Sequence, residues 1–200
     1  MAQDGSAQIE TVDWYFDFIS PFAYLAFHAL DRLPQGIEVR FQPVLFAGLL
    51  KHWGQKGPAE IPPKREWTFR WLHWLASRQG IPFQPPPRHP FVPLPYLRLC
   101  LAADNRREAV AAIFDALWTR GEDAEDARTV STLADALAVD EARLQAPSVK
   151  QALHDSTNAA IARGVFGVPT LFADDELFWG VDAMPFALER IQARHHPHGE

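Results

Sequence analysis

Hydrophobic positions alternate from Val12 to Phe18, with Val12, Trp14, Phe16 and Phe18 on one face and Asp13, Tyr15 and Asp17 on the other, which is the period of a strand. From Phe22 the period lengthens. Phe22, Leu25, Ala26, Ala29, Leu30 and Leu33 recur at helical spacing until "PQG" stops the helix, and Ile37, Val39 and Phe41 then alternate again. A strand, helix, strand unit in one sheet implies parallel strands joined by a right-handed crossover. Between Phe46 and Arg163 the spacing is helical throughout, apart from the proline-rich "GIPFQPPPRHPFVPLP", which reads as a loop or extended segment. Three stripes stand out: Trp67, Trp71 and Trp74; Val110, Ile113, Phe114, Leu117 and Trp118; and Val130, Leu133, Ala134 and Leu137.

Gly164 is placed to end the last of these helices. Strand patterns return in "VPTLFA" and "ELFWG" around a "DD" turn, and "DAMPFALERIQARH" reads as a terminal helix capped by Asp182. The order βαβ, many helices, ββα predicts an α/β sheet domain, residues 1–45 and 164–200, interrupted by an all-helical insertion, residues 46–163.

The chain has 200 residues, 48% of them hydrophobic, enough for one core, and a net charge of −6. An acidic balance argues against nucleic acid or an anionic membrane as the main partner. No uninterrupted apolar run is long enough for a membrane span, and "MAQDGSAQIE" lacks a signal-peptide pattern, so a cytoplasmic protein is expected. The one cysteine, Cys100, excludes an intrachain disulfide and reads as a core residue. No metal site is expected, and the three histidines of "RHHPHGE" read as incidental.

Ser20 followed by Pro21 is a good N-cap and N1 pair. A helix start also attracts anions, and a hydroxyl can accept from the backbone while donating to a ligand, so cap and donor are compatible roles. His28 is two turns too far along the helix to serve as a base for Ser20. Asp13 and Asp17 share a strand face and are expected to be solvated or to cap. Lys51, Lys56, Lys64 and Arg65, set against Glu60, form a cationic segment suited to a carboxylate or phosphate, or a solvated loop. The indole stripe reads first as core packing and second as the wall of an aromatic site. By base rate the Val168–Pro169 bond is expected to be trans.

"VDWYFDFISPFAYLAF", "GQKGPAEIPPKR", "VFGVPTLF" and "FWGVDAMPFALE" together resemble the 2-hydroxychromene-2-carboxylate isomerases and the related kappa-class glutathione transferases, in the DsbA-like branch of the thioredoxin superfamily. The resemblance runs along nearly the whole chain. It implies a thioredoxin-like domain interrupted by helices, a homodimer, glutathione as cofactor and a small aromatic carboxylate as substrate. It places Ser20 against the glutathione sulfur, Val168 along the cysteinyl backbone before a cis Pro169, and Lys64 in the glutathione-binding loop. Gln55 stands in that loop where many relatives have asparagine, and Asp182 stands where the γ-glutamyl amino group is received. The implied reaction is a glutathione-dependent isomerisation. A kappa-like transferase or peroxidase, and a non-catalytic thioredoxin-fold binding protein, are the alternatives.

Overall fold

The strand that opens the chain, β1 (Thr11–Phe16), lies at the centre of the sheet in a computed structural model that describes residues 11–195. It pairs in parallel with β2 (Glu38–Pro43) and antiparallel with β3 (Thr170–Ala173), which in turn pairs with β4 (Glu176–Trp179), giving the order β2-β1-β3-β4. Helix α1 (Pro21–Ala29), continued by a 3₁₀ turn at Leu30–Arg32, is the crossover between the parallel strands. The helices α2 (Phe46–Trp53), α3 (Pro62–Gln79), α4 (Leu94–Ala102), α5 (Arg107–Phe114), α6 (Ala127–Ala136), α7 (Glu141–Gln145) and α8 (Pro147–Ala162) all fall between β2 and β3. Helix α9 (Met184–His195) follows the hairpin.

β1 is two residues shorter than its alternation suggested. Asp17 breaks the period because its side chain accepts the Ile19 N–H at 3.1 Å and its carbonyl accepts the Ser20 N–H at 3.0 Å, turning the chain into α1. Both faces of β1 are buried, as befits a strand inside a covered sheet. Val12, Trp14 and Phe16 join the main cluster with Leu25, Phe114 and Ile191, and Trp14 stacks on Phe16 at 4.5 Å. On the other face Tyr15 packs with Val44, Leu49, Ala160 and Phe172.

The same second face corrects the expectation that Asp13 and Asp17 are solvated. Asp13 is buried and receives Arg40 at 2.8 Å and the Arg163 guanidinium. Burial alone would raise its pKa, but the two arginines together hold the carboxyl below its ordinary value. Asp17 is fully buried, and its second oxygen accepts the Phe46 N–H at 2.9 Å, satisfying a free donor at the start of α2. It does cap, but a helix far along the chain.

The stripe containing Val110, Ile113, Phe114, Leu117 and Trp118 is wholly buried, with a π-helical turn at Asp115–Thr119. Of the indole stripe only Trp71, partly buried, packs against the core. Trp67 and Trp74 are 55% and 58% exposed, while α3 buries Thr68, Leu72 and Ala76 instead. Trp67 stacks on Trp71, Trp71 meets Phe22 at a tilt of 43°, and Arg78 lies over Trp74.

Candidate active site

Ser20 has the extended backbone of an N-cap, and its Oγ accepts the Ala23 N–H at 3.2 Å. That bond uses a lone pair and leaves the hydroxyl proton unspent. Pro21 brings no N–H, and the Phe22 N–H makes no hydrogen bond among the described residues, so the helix start offers an unused donor beside the unused hydroxyl. Ser20 is only 6% exposed, so a charge-bearing partner there meets the hydroxyl away from bulk water.

A cavity of about 570 Å³ opens over this point. The volume falls within the range of pockets that hold small organic ligands, about 300–1,000 Å³. Asp17, Ser20 and Pro21 lie in its wall, whose other residues are of two chemical kinds. One is polar and peptide-like: Val168, Gln55, Lys56 and Lys64, with Phe166 and Trp179. The backbone N–H and C=O of Val168 make no hydrogen bond among the described residues, and the Val168–Pro169 peptide is cis. The base-rate expectation of a trans bond is therefore overturned at this position, while the family resemblance anticipated it. Gly167 precedes it because a Cβ there would stand 2.4 Å from Trp179 Nε1, so only glycine lets the indole lie across the chain.

The other kind is aromatic: Phe22, Phe69, Phe91 and His89, with Val92 and Leu94. His89 follows no helix or strand pattern. Its Nε2 lies 2.9 Å from the Ile19 carbonyl, and its ring meets Phe69 and Phe91 edge-on. Burial holds its pKa below the ordinary histidine value, the Ile19 bond opposing. At the rim, Lys56, Lys64 and Arg65 are exposed, and none takes part in the ion pairs among the described residues. Glu60, the one acid of that segment, is turned back on the Gly57 N–H at 2.5 Å. Beneath Ser20, burial pushes the Asp17 carboxyl up to about 7, against the pull of the Phe46, Ile19 and Phe18 N–H groups. The floor is thus uncharged in mild acid and partly ionised at neutrality.

The family of DSBA-like thioredoxin domains matches residues 11–192. A 2-hydroxychromene-2-carboxylate isomerase of Pseudomonas putida is 31% identical over 192 residues, covering 92% of this chain and 94% of that protein. The chain belongs to this isomerase family. A solved 2-hydroxychromene-2-carboxylate isomerase structure superposes with a TM-score of 0.81 at 26% identity, covering 95% of this chain and 100% of that one. Glutathione S-transferase kappa 1 of Homo sapiens is 26% identical over 209 residues, covering 95% of this chain and 91% of that protein.

In this isomerase-family chain the cavity brings Ser20, Gln55, Lys64 and Val168 together, with Pro169 adjacent to it through the cis bond. Asp182 is not among the lining residues. It is exposed and lies inside the 3₁₀ turn Val181–Ala183, its Oδ1 set over Gly180, rather than capping α9 as expected. Lys51 and the indoles Trp67, Trp71 and Trp74 also lie outside the cavity wall. His28 packs against Tyr24, away from Ser20's hydroxyl. Cys100 is buried in α4, where desolvation raises its thiol well above the ordinary range and leaves it inert. The histidines at 196 and 198 lie outside the described residues, and among the described residues no cluster suited to a metal ion occurs. No helix there is long and apolar enough to cross a membrane.

Sequence reasoning missed Asp17 as a buried floor, His89, and the Phe69 and Trp179 walls. The signals were present only faintly: a lone histidine between prolines, and a tryptophan at the end of a short edge strand.

Proposed function

We propose that the protein is a glutathione-dependent isomerase of a small aromatic carboxylate, of the 2-hydroxychromene-2-carboxylate to trans-o-hydroxybenzylidenepyruvate type. One observation carries the reading: a capping hydroxyl with its proton unspent shares one cavity with a free peptide edge and a set of aromatic rings. Names borne by relatives support it, 2-hydroxychromene-2-carboxylate isomerase at 31% identity and glutathione S-transferase kappa at 26%.

The residues present fit a γ-glutamyl tripeptide. Val168 offers one N–H and one C=O to an extended peptide, the pattern of a strand added at an edge. Gln55, Lys56 and Lys64 offer amide and ammonium groups to its carboxylates. When bound, glutathione would supply a sulfur nucleophile for reversible addition to the conjugated form left when the hemiketal C–O bond breaks and the phenol is freed, with the sulfur expelled again after the former double bond has turned. Ser20 holds that sulfur ionised. A thiol of pKa about 8.5 lowered by about two units needs about 2.7 kcal/mol in favour of the thiolate. A hydrogen bond to a charged group supplies about 1.5–3 kcal/mol and a helix N-terminus about 0.3–1 kcal/mol. The Ser20 hydroxyl and the α1 start together meet that requirement.

The aromatic residues receive the flat substrate, and Arg65 faces the carboxylate. Asp17, protonated in mild acid and only partly ionised near neutrality, places a reduced opposing charge under the sulfur. A kappa-like transferase on other electrophiles is the second reading, favoured by the human relative's match along 95% of this chain. A cytoplasmic homodimer accompanies either reading, and sedimentation equilibrium tests the dimer. Calorimetry with reduced glutathione, followed by turnover of a chromene carboxylate against an aryl halide, tests the function. Binding with isomerisation supports the proposal. Binding with conjugation alone moves it to the transferase, and absence of binding at millimolar glutathione sinks both.

A further inference from the structure

The peptide groups leading into Ser20 are gripped from outside the loop. The Phe18 carbonyl accepts the Trp118 indole N–H at 2.8 Å, and the Ile19 carbonyl lies 2.9 Å from His89 Nε2. A carbonyl only accepts, so the histidine proton is on Nε2 and Nδ1 carries the lone pair. Nδ1 is buried and has no partner among the described residues. An orphaned buried nitrogen is a loss that a leucine of similar size would avoid, so packing alone does not account for a histidine here. What the imidazole adds is the hold on the carbonyl of Ile19, the peptide whose nitrogen belongs to Ser20.

Both gripping side chains are themselves fixed. His89 is boxed by Phe69, Phe91 and Trp118 with ring centroids 5.2, 6.1 and 5.6 Å away. Trp118 sits in the π-helical turn Asp115–Thr119, stacks on Phe83 at 5.9 Å with the rings 2° from parallel, and its own carbonyl takes the Gln84 N–H at 2.7 Å. A π turn inside a helix shifts the side chains that follow by one extra residue, and here it accompanies an indole aimed at the Ser20 loop. A loop peptide free to rotate would bring a carbonyl oxygen against an anionic sulfur, the reverse of what a helix start offers.

We propose that His89 and Trp118 are positioning residues: by holding the Ile19 and Phe18 carbonyls they fix the peptides that aim the Ser20 hydroxyl at the ligand sulfur. The proposal rests on the reading of Ser20 as donor to a glutathione thiolate. It is tested on the full chain with His89→Leu, which keeps the bulk and loses the donor, and with His89→Gln, whose amide nitrogen occupies the same reach as Nε2. Reduced glutathione is the probe, and the readouts are thiolate absorbance against pH and kcat and KM for the chromene carboxylate, with unfolding by urea as the check on folding.

The expected result is a raised apparent pKa of the bound thiol and a fall in kcat of about tenfold to a hundredfold for His89→Leu, as a misplaced donor produces, whereas a loss confined to its place in the cavity wall would move KM and leave the thiol titration at its wild-type position. His89→Gln is expected to bring the apparent pKa of the bound thiol back to near its wild-type value, since it restores the donor, while the lost ring is read in KM. Wild-type ionisation and kcat in His89→Leu, or an equally raised thiol pKa in both variants, would overturn it. If His89→Leu does not fold, Trp118→Phe, which loses the indole N–H together with part of the ring, decides in the same way, with urea unfolding separating the lost packing from the lost donor. A wild-type protein that binds glutathione without ionising it removes the Ser20 reading and this proposal together. Ionisation in wild type that survives in the variants removes this proposal alone.

Discussion

Replacing Asp17 by asparagine leaves a group of the same shape that carries no charge at any pH. In the native protein the Asp17 carboxyl is fully buried, has no cation against it among the described residues, and titrates near 7. In the unfolded chain it titrates near the ordinary value of about 3.9. A carboxyl whose folded pKa is raised binds more protons folded than unfolded, so its contribution is intact below about pH 4 and is lost as pH rises towards about 7. A shift of about three units corresponds to about 4 kcal/mol across that window. The asparagine amide also sets an NH₂ against the Ile19 or Phe46 N–H, an offset that does not vary with pH. Urea unfolding of both proteins at several pH values from about 4 to about 8.5 isolates the effect, because other titrating groups cancel in the difference. Asp17→Asn is expected to gain on wild type by up to about 4 kcal/mol as pH rises, levelling off above about pH 7. A difference that stays flat with pH, or one that moves the other way, would refute the assignment of a buried carboxyl of raised pKa beneath Ser20.

Other consequences are simpler to check. Gly167→Ala places a Cβ against the Trp179 indole, so tryptophan emission should shift and glutathione affinity should fall about tenfold, with stability changed by less than about 1 kcal/mol because Trp179 is half exposed. Lys64→Ala should raise the glutathione KM up to about fivefold with kcat unchanged, as loss of an exposed charge contact does. A chromogenic disulfide reagent should find no reactive thiol in the native protein and find Cys100 only after unfolding, since the thiol is buried and its pKa raised.

The architecture was largely legible because it is written in period. Alternation at Val12–Phe16 and Ile37–Phe41, the hairpin around Asp174 and Asp175, and the helical run between them translate directly into the sheet and its inserted helices. What failed was any inference that needed the third dimension. The indoles of α3 share a stripe, but so do Thr68, Leu72 and Ala76, and period alone does not say which stripe meets the core. Asp17 lay in an alternating run and looked exposed, yet α2 packs over it and takes its carboxyl as a cap. Ser20 was legible as a cap from its neighbour Pro21, whereas the Phe18 and Ile19 grips come from Trp118 and His89, 100 and 70 residues away in sequence. Such partners have no local signature.

The central claim is that Ser20 both caps α1 and donates its proton to a borrowed thiolate. Thiolate absorbance of glutathione bound to wild type and to Ser20→Ala, titrated across pH, tests it most directly. In wild type the apparent pKa is expected about two units below that of free glutathione, and in Ser20→Ala it should return most of the way towards the free value, with turnover lower by about a hundredfold. A variant that keeps the wild-type titration curve and turnover would contradict the account.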